Sequence, residues 1–513
     1  MTKSQSVVCI LICFFTFNHF QLAEAETFNI PNGDIKALIA AMEKANANTD
    51  QENIIILADN GRYVLNSPYT NNAEDVGGKQ GPVALPPIIG KKLIIEGKNA
   101  VLIRNNTASK FRILFAGRNS ELVLKNLTVE NGDAGKGKGG GVYLTFKSKN
   151  LIENCKFINN TASSAEQKGG GALSIQSNST SEIRNCEFIG NTSNMGYGGA
   201  ICNVLSDLTL DKCVFRNNKA IQNPSFKAGG GAVYIDGARG DFGKVEIEEC
   251  IFDGNESPNG GGIFFFPYNR QQFVINKCEF KNNQATTKDG IGGGVWYSSG
   301  TIKNDSKDPV YSGGSVRTEI AISNTAFYYN SAGKLGGGLN LGKEGRVSVF
   351  NCTIAENKAG SKETGGTGGG INVNSANLTL TNCTIAKNYA GLFGGGIGCT
   401  NNQYINMYNC IIAYNETGKK YKNNCQLTYK GSNNLEFPKI TDKTKEGDCC
   451  ANIINEDPLL GPLNNNGGKT LTFALKPGSP AIDKGINKPE IETDQRGVKR
   501  KGAIDLGAYE RNK

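Results

Sequence analysis

The sequence predicts an all-β solenoid, a parallel β-helix, on three observations. A triplet of small residues, G-G-G or G-G-A, recurs nine times, starting at Gly139, Gly169, Gly198, Gly229, Gly260, Gly292, Gly336, Gly368 and Gly394. A block of the type N-C-x-F-x-x-N follows each triplet, from NCKFINN at Asn154–Asn160 to NCIIAYN at Asn409–Asn415. Successive triplets lie 30, 29, 31, 31, 32, 44, 32 and 26 residues apart. Between these markers run short alternating stretches such as VEIEE, FVINK and VSVFN, rich in β-branched residues and without a helical period. A unit of about 30 residues holds three short strands and their bends, one coil of a solenoid whose strands stack about 4.8 Å apart. Two-residue Asn-Gly turns do not recur, which argues against antiparallel hairpins.

Each element of the coil has a physical reason. Ile183 and Phe188 both belong inside but differ in parity, so the pleat must break between them. Asn185 sits at the break and tolerates the left-handed conformation that a sharp bend needs. Repeated Asn at one bend would stack into a ladder of amides bonded coil to coil. The final Asn of each block (Asn160, Asn191, Asn218, Asn255, Asn283, Asn330, Asn357, Asn388, Asn415) suits the same role at the next bend. The glycines permit positive φ and close backbone approach. Eight cysteines share one repeat position: Cys155, Cys186, Cys213, Cys250, Cys278, Cys352, Cys383 and Cys410. A coil rise is wider than the about 3.8 Å between Cβ atoms that a disulfide prefers, so these are expected to be free, buried thiols. Cys425, Cys449 and Cys450 lie outside the repeats and can form one disulfide in an exported protein.

Four segments follow along the chain. Residues 1–25 read as a secretory signal: Lys3, the apolar core VVCILICFFTF, and a small-x-small cleavage site at Ala23-Glu24-Ala25. Residues 26–65 form an N-terminal cap, with a helix started by Asp34 and apolar at Ile35, Leu38, Ile39, Met42 and Ala45. The β-helix repeats occupy 66–415, and 416–513 is a C-terminal cap or tail. The only histidine, His19, lies in the signal, so the mature chain lacks Ser-His-Asp or Cys-His catalysis and histidine-ligated zinc. No metal site is expected. A net charge of +9 is mild for 513 residues, and no basic-aromatic interleaving suggests a nucleic-acid partner. No later stretch is long and apolar enough to span a membrane, so no transmembrane anchor of its own is expected.

Two pieces resemble known families. The GGAI of Gly198–Ile201, the GGAV of Gly230–Val233 and the FINN of Phe157–Asn160 resemble repeats of the polymorphic outer membrane proteins. The G-S-P-A-I-D of Gly478–Asp483, with D-Q-R-G at Asp494–Gly497 and D-L-G-A-Y-E at Asp505–Glu510, resembles the C-terminal signature of choice-of-anchor bacterial surface proteins. These resemblances imply a right-handed, pectin-lyase-like β-helix on or outside the cell surface, with a short N-terminal capping helix. The polymorphic proteins resemble autotransporters and act in adhesion. Only Arg-Asn-Lys follow Glu510 here, so no C-terminal translocator barrel is expected.

The function expected is therefore adhesion or glycan binding by a secreted or cell-surface protein. Its partner would be a polysaccharide or a cell-surface glycoprotein. A polysaccharide lyase or hydrolase is the alternative, with Ca²⁺ as the cofactor of a lyase; a purely structural envelope protein is the third. Acidic residues do not cluster at one repeat position, and no catalytic residue is assigned. The strongest departure from the repeat is local. Aligned on the triplets, the outward column reads Tyr143, Leu173, Cys202, Val233, Phe264, Trp296, Asn340, Asn372 and Gly398. Phe264 and Trp296, the only tryptophan, would form an exposed aromatic face, with Val233 beside Phe264. The one long insertion, from Ser298 to about Arg317, adds Lys303, Asp305 and Tyr311 as a wall. The competing reading is that the insertion folds down and makes the aromatics a satellite core.

Overall fold

The computed structural model describes residues 25–48, 52–70, 74–75, 78–79, 81–163, 169–221, 228–268, 270–298, 318–342, 345–399, 404–439, 447–486 and 491–511. They form one parallel β-solenoid. Each coil passes from a glycine triplet into a strand of a ten-stranded sheet, then twice through a broad 25-stranded sheet, then into a two-residue strand of a nine-stranded sheet. In one coil these are Val142–Leu144, Lys149–Glu153, Lys156–Ile158 and Thr161–Ala162. The register is like on like: Phe157 pairs with Phe188, Ile152 with Ile183 and Thr161 with Thr192. The ten-stranded and nine-stranded sheets are called here the glycine-side and ladder-side sheets.

The bends carry the coil. Asn154, Asn185, Asn324, Asn351, Asn382 and Asn409 all have φ near +50°, as the parity break requires. At the next bend two roles separate. The left-handed residue is the one before the final Asn: Asn159, Gly190, Asn217, Gly254, Asn282, Tyr329, Glu356, Lys387 and Tyr414. The final Asn turns inward and builds the ladder. Asn218 Nδ2 donates to Asn255 Oδ1 at 3.0 Å and to Phe188 O at 2.9 Å, while its backbone N–H donates to the same Asn255 oxygen at 3.0 Å. The pattern repeats from Asn160 to Asn415, with every ladder Asn buried. Each buried amide is thereby satisfied on both faces, so its hydrogen bonds offset the cost of desolvating it.

Two further columns fill the interior. Phe157, Phe188, Phe215, Phe252, Phe280 and Phe327 stack with centroids 4.6–4.9 Å apart and planes within 9°. The eight in-register cysteines are free and buried. Their sulfurs accept from the preceding coil, as Cys250 Sγ does from Cys213 N at 3.3 Å. Thr325 supplies its hydroxyl to Cys278 N where the column lacks a cysteine. Burial pushes the thiols of Cys250, Cys383 and Cys410 well above their ordinary range. Outside the column, Cys425 and Cys449 are joined in a disulfide.

The N-terminal end is closed by a strand, Glu26–Ile30, and by α1, Ile35–Ala47. Asp34 accepts from Ala37 N at 2.9 Å as the helix cap, and Leu38, Ala41, Met42 and Ala45 are buried on the first coils. The tail does more than close the other end. After the rung Lys430–Ser432 and Leu435–Phe437, it turns back along the flank of the solenoid. Its Leu460, Phe473, Leu475, Ala481 and Leu506 cover outward-facing Ala326, Ala355, Ala386 and Ala413. Gln495 accepts from Thr353 Oγ1 at 2.7 Å, and Ala508 N donates to Thr384 Oγ1 at 3.0 Å. Arg496 pairs with Asp494 at 2.7 Å and lies 3.7 Å over the Tyr509 ring; buried Arg500 pairs with Glu510 at 2.9 Å. The D-Q-R-G and D-L-G-A-Y-E segments are thus one buried polar knot that clasps three coils.

Two outcomes check this fold. Asn255→Ala removes four buried hydrogen bonds, those from Asn218 N and Nδ2 and those to Phe215 O and Asn283 Oδ1, so urea unfolding should show a loss of about 3–5 kcal/mol. In native protein the eight column cysteines should resist a thiol reagent, and denatured protein should react at them without prior reduction. Mass mapping that finds disulfides between neighbouring coils would refute the thiol column.

Candidate functional site: an aromatic corner and a charged cleft

The structure brings Phe264 and Trp296 together, stacked with centroids 3.9 Å apart and planes 12° from parallel. It corrects the column around them. The outward residues are Tyr143, Ser174, Cys202, Tyr234, Phe264, Trp296, Asn340, Asn372 and Gly398, so Leu173 and Val233 point inward. The slip comes from coils with four small residues, G-G-G-A, where the left-handed turn falls on Gly170 and Gly230 rather than on the first glycine. The residue beside Phe264 is Tyr234, not Val233, and Tyr197 stacks on it at 4.2 Å. Close approach explains the glycines: a Cβ at Gly292 would lie 2.7 Å from Trp296 Cβ.

The corner is more enclosed than an exposed aromatic face. Phe264 is only 6% exposed and Trp296 is half-buried, within a cluster that includes Cys202, Val204, Tyr234 and Phe266. Asp236 ends the cluster and accepts from the Tyr268 hydroxyl at 2.6 Å. Burial, with Asp236 nearby, pushes the phenols of Tyr197 and Tyr234 above their usual range. Lys303, Asp305 and Tyr311 lie outside the described residues.

A second place was not foreseen. On the ladder-side sheet an open cleft of about 810 Å³ is lined by Glu356, Lys358, Lys387, Tyr389, Tyr414, Glu416 and Leu460. Glu356, Lys387 and Tyr414 precede the ladder residues Asn357, Asn388 and Asn415; Lys358, Tyr389 and Glu416 follow them. Acidic groups that occupy no single repeat position therefore meet, because two columns flank one bend. The tail supplies the wall: the Tyr414 hydroxyl donates to Asp457, and Leu460 lines the floor. The Tyr329 hydroxyl bonds Glu356, Lys358 sits 5.7 Å over the Tyr389 ring, and Lys387 sits 5.6 Å over Phe473.

The sequence did hold a signal for this cleft. Five coils carry Asn or Gly before the ladder Asn, the types that tolerate a left-handed backbone. The last four carry Tyr329, Glu356, Lys387 and Tyr414 there, with φ of 57°, 54°, 58° and 57°. For such side chains that conformation costs on the order of 1–2 kcal/mol each.

A family model of the right-handed β-helix region matches residues 91–301 and 268–437. The chain belongs to that family. No curated protein matches its sequence. Among solved structures, pectate lyase Pel9A is similar at 14% identity, over 96% of this chain and 98% of that one, with a TM-score of 0.38.

In this right-handed β-helix the aromatic corner is testable by stability. Phe264→Ala should cost about 3–5 kcal/mol, and half-buried Trp296→Ala less, about 1–3 kcal/mol. Emission from Trp296, the only tryptophan, should be partly quenched by acrylamide in native protein.

Proposed function

We propose that this right-handed β-helix protein is exported, secreted or held at the cell surface, and binds a polysaccharide or the glycan of a cell-surface glycoprotein. The ladder-side cleft carries the reading. Three successive coils of a rigid sheet present two carboxylates, two ammonium groups and two phenols to one open space. Such groups hydrogen-bond hydroxyls and acidic substituents of sugars, and phenol rings accept their flat C–H faces. The scaffold is already ordered by the ladder, so little conformational entropy is lost on binding.

Export is supported by the signal-like Lys3, VVCILICFFTF and Ala23-Glu24-Ala25, and by the Cys425–Cys449 disulfide. Likeness of the tail to choice-of-anchor proteins and of the repeats to polymorphic outer membrane proteins supports a surface location and adhesion. An enzymatic reading rests on Lys387, which lies in the cleft between the coils of Glu356 and Glu416 and could serve as a base. Among the described residues no three acidic, histidine or cysteine side chains gather as metal ligands.

The test is retention of purified protein on a panel of immobilised glycans. At least one glycan should retain the wild type and fail to retain Tyr389→Ala. Retention of none, with the protein folded, would overturn the reading. Unsaturated or reducing ends released from the same glycans would move it to the enzyme.

A further inference from the structure

At its C-terminal end the interior changes character. The thiol column passes from Cys410 to Asn434, whose Oδ1 accepts from Cys410 N at 2.9 Å. Asn434 Nδ2 donates to Met407 O at 2.9 Å and to Cys450 Sγ at 3.5 Å. The asparagine ladder passes from Asn415 to Asn424 at 3.0 Å and ends on Glu436, whose Oε1 accepts from Asn424 Nδ2 at 3.2 Å. Glu436 continues the inward column of Phe327, Ile354, Ile385 and Ile412. It is only 2% exposed, and its other oxygen accepts from Cys449 N at 2.7 Å. A carboxylate is costly to bury, so what covers Glu436 matters.

Residues 449–454 supply cover as a last turn of chain. They form no strand: Tyr429 pairs with Cys450, and Leu435 with Ile454, as isolated parallel bridges. Tyr429 N donates to Cys449 O at 2.8 Å, Glu436 N to Ile454 O at 2.8 Å, and Ile454 N to Asn434 O at 3.0 Å. The coils above are joined instead through strands in three sheets. Cys449, Cys450 and Ile453 pack into the same core cluster as Met407, Cys410 and Tyr429. The covalent tie is the Cys425–Cys449 disulfide, across a sequence separation of 24. Such a bond acts largely by restricting the chain once it is released. Burial pushes the Cys450 thiol up to about 12, so it stays protonated and does not attack the disulfide beside it.

We infer that Cys425–Cys449 is a redox latch on the end of the solenoid. Its reduction releases residues 449–454, opens Glu436, Cys450 and Cys410 to water, and leaves the coils above folded. A dithiol reductant suffices. Its thiolate attacks one sulfur, its second thiol closes the reductant's own disulfide, and Cys425 and Cys449 leave as two thiols. Opening stays local because each coil of a solenoid contacts only its neighbours, and the ladder from Asn160 to Asn415 does not pass through the last turn. Hydration of the freed Glu436 carboxylate then opposes reclosure. The latch is open in a reducing cytoplasm and closed outside it, so the last turn is sealed only after the chain leaves the cell interior. That setting rests on the export reading; the latch does not.

The experiment is alkylation of purified full-length protein in native buffer, with and without dithiothreitol, mapped by peptide mass and followed by far-UV circular dichroism. Without reductant Cys425, Cys449, Cys450 and Cys410 should all stay unlabelled. With it, Cys425 and Cys449 should react, and labelling of Cys450 and Cys410 should rise at least about tenfold. Cys155, Cys250 and Cys383 should stay protected and the β spectrum should hold. Where dithiothreitol does not reach the bond in native protein, Cys425→Ser with Cys449→Ser is the open form, and its Cys450 should be labelled without reductant. Labelling of Cys425 and Cys449 before reduction would overturn the latch, and so would Cys450 and Cys410 remaining silent once the bond is cut or removed. Loss of the β spectrum on reduction or in the double variant would show that the bond holds the whole solenoid and overturn local opening. A protein found not to be exported, with the labelling as expected, would remove the cellular setting and leave the latch standing.

Discussion

The asparagine ladder is the constraint on which the rest of this molecule depends. A coil must turn sharply, and a sharp turn leaves backbone groups pointing into a closed interior. One Asn per coil answers both needs. Its amide donates to a carbonyl of the preceding coil and to the next Asn, and its oxygen accepts from the preceding Asn twice. Because each amide serves its neighbours, the coils are locked in register, and every other column is then aligned by default. The phenylalanine stack and the thiol column are consequences of that register as much as causes of it.

A locked register turns sequence variation into surface geometry. A position that changes on one coil changes one rung of one column, and adjacent changes make a patch. The cleft arises in this way from the two positions flanking the ladder Asn. The tail arises similarly. Early coils place Lys156, Glu187 and Glu279 on the outward strand, whereas later coils place Thr353 and Thr384 there, followed by Ala355 and Ala386. The small residues make a shallow apolar lane, and the threonines bond Gln495 and Ala508 of the returning tail.

The tail's charges illustrate the cost of burial. Glu510 is pushed above the usual carboxylate range by burial, although Arg500 opposes the shift. Arg500 is lowered by the same burial. Such a pair contributes little net stability, but removing one partner would strand the other charge in the interior. Its use here is geometric: the knot fixes where the tail crosses the coils, and so where Asp457 and Leu460 wall the cleft.

What the sequence by itself determined is whatever repeats. The coil, the left-handed bend at Asn185, the free thiols and the helix capped by Asp34 are local or periodic, and each is written in residue type and spacing. Of the candidate site it determined that Phe264 and Trp296 are neighbours, since they share a repeat position. Only the tertiary structure decided which way neighbouring residues face and what covers them. Four small residues in a row hide which glycine turns, so Tyr234 rather than Val233 reached the aromatic cluster. The cleft needed three coils, two columns and a tail from 40 residues beyond, since Asp457 lies that far from Tyr414 and more. Each piece is ordinary in the sequence; they form a site only because parallel stacking sets residues some 30 apart side by side.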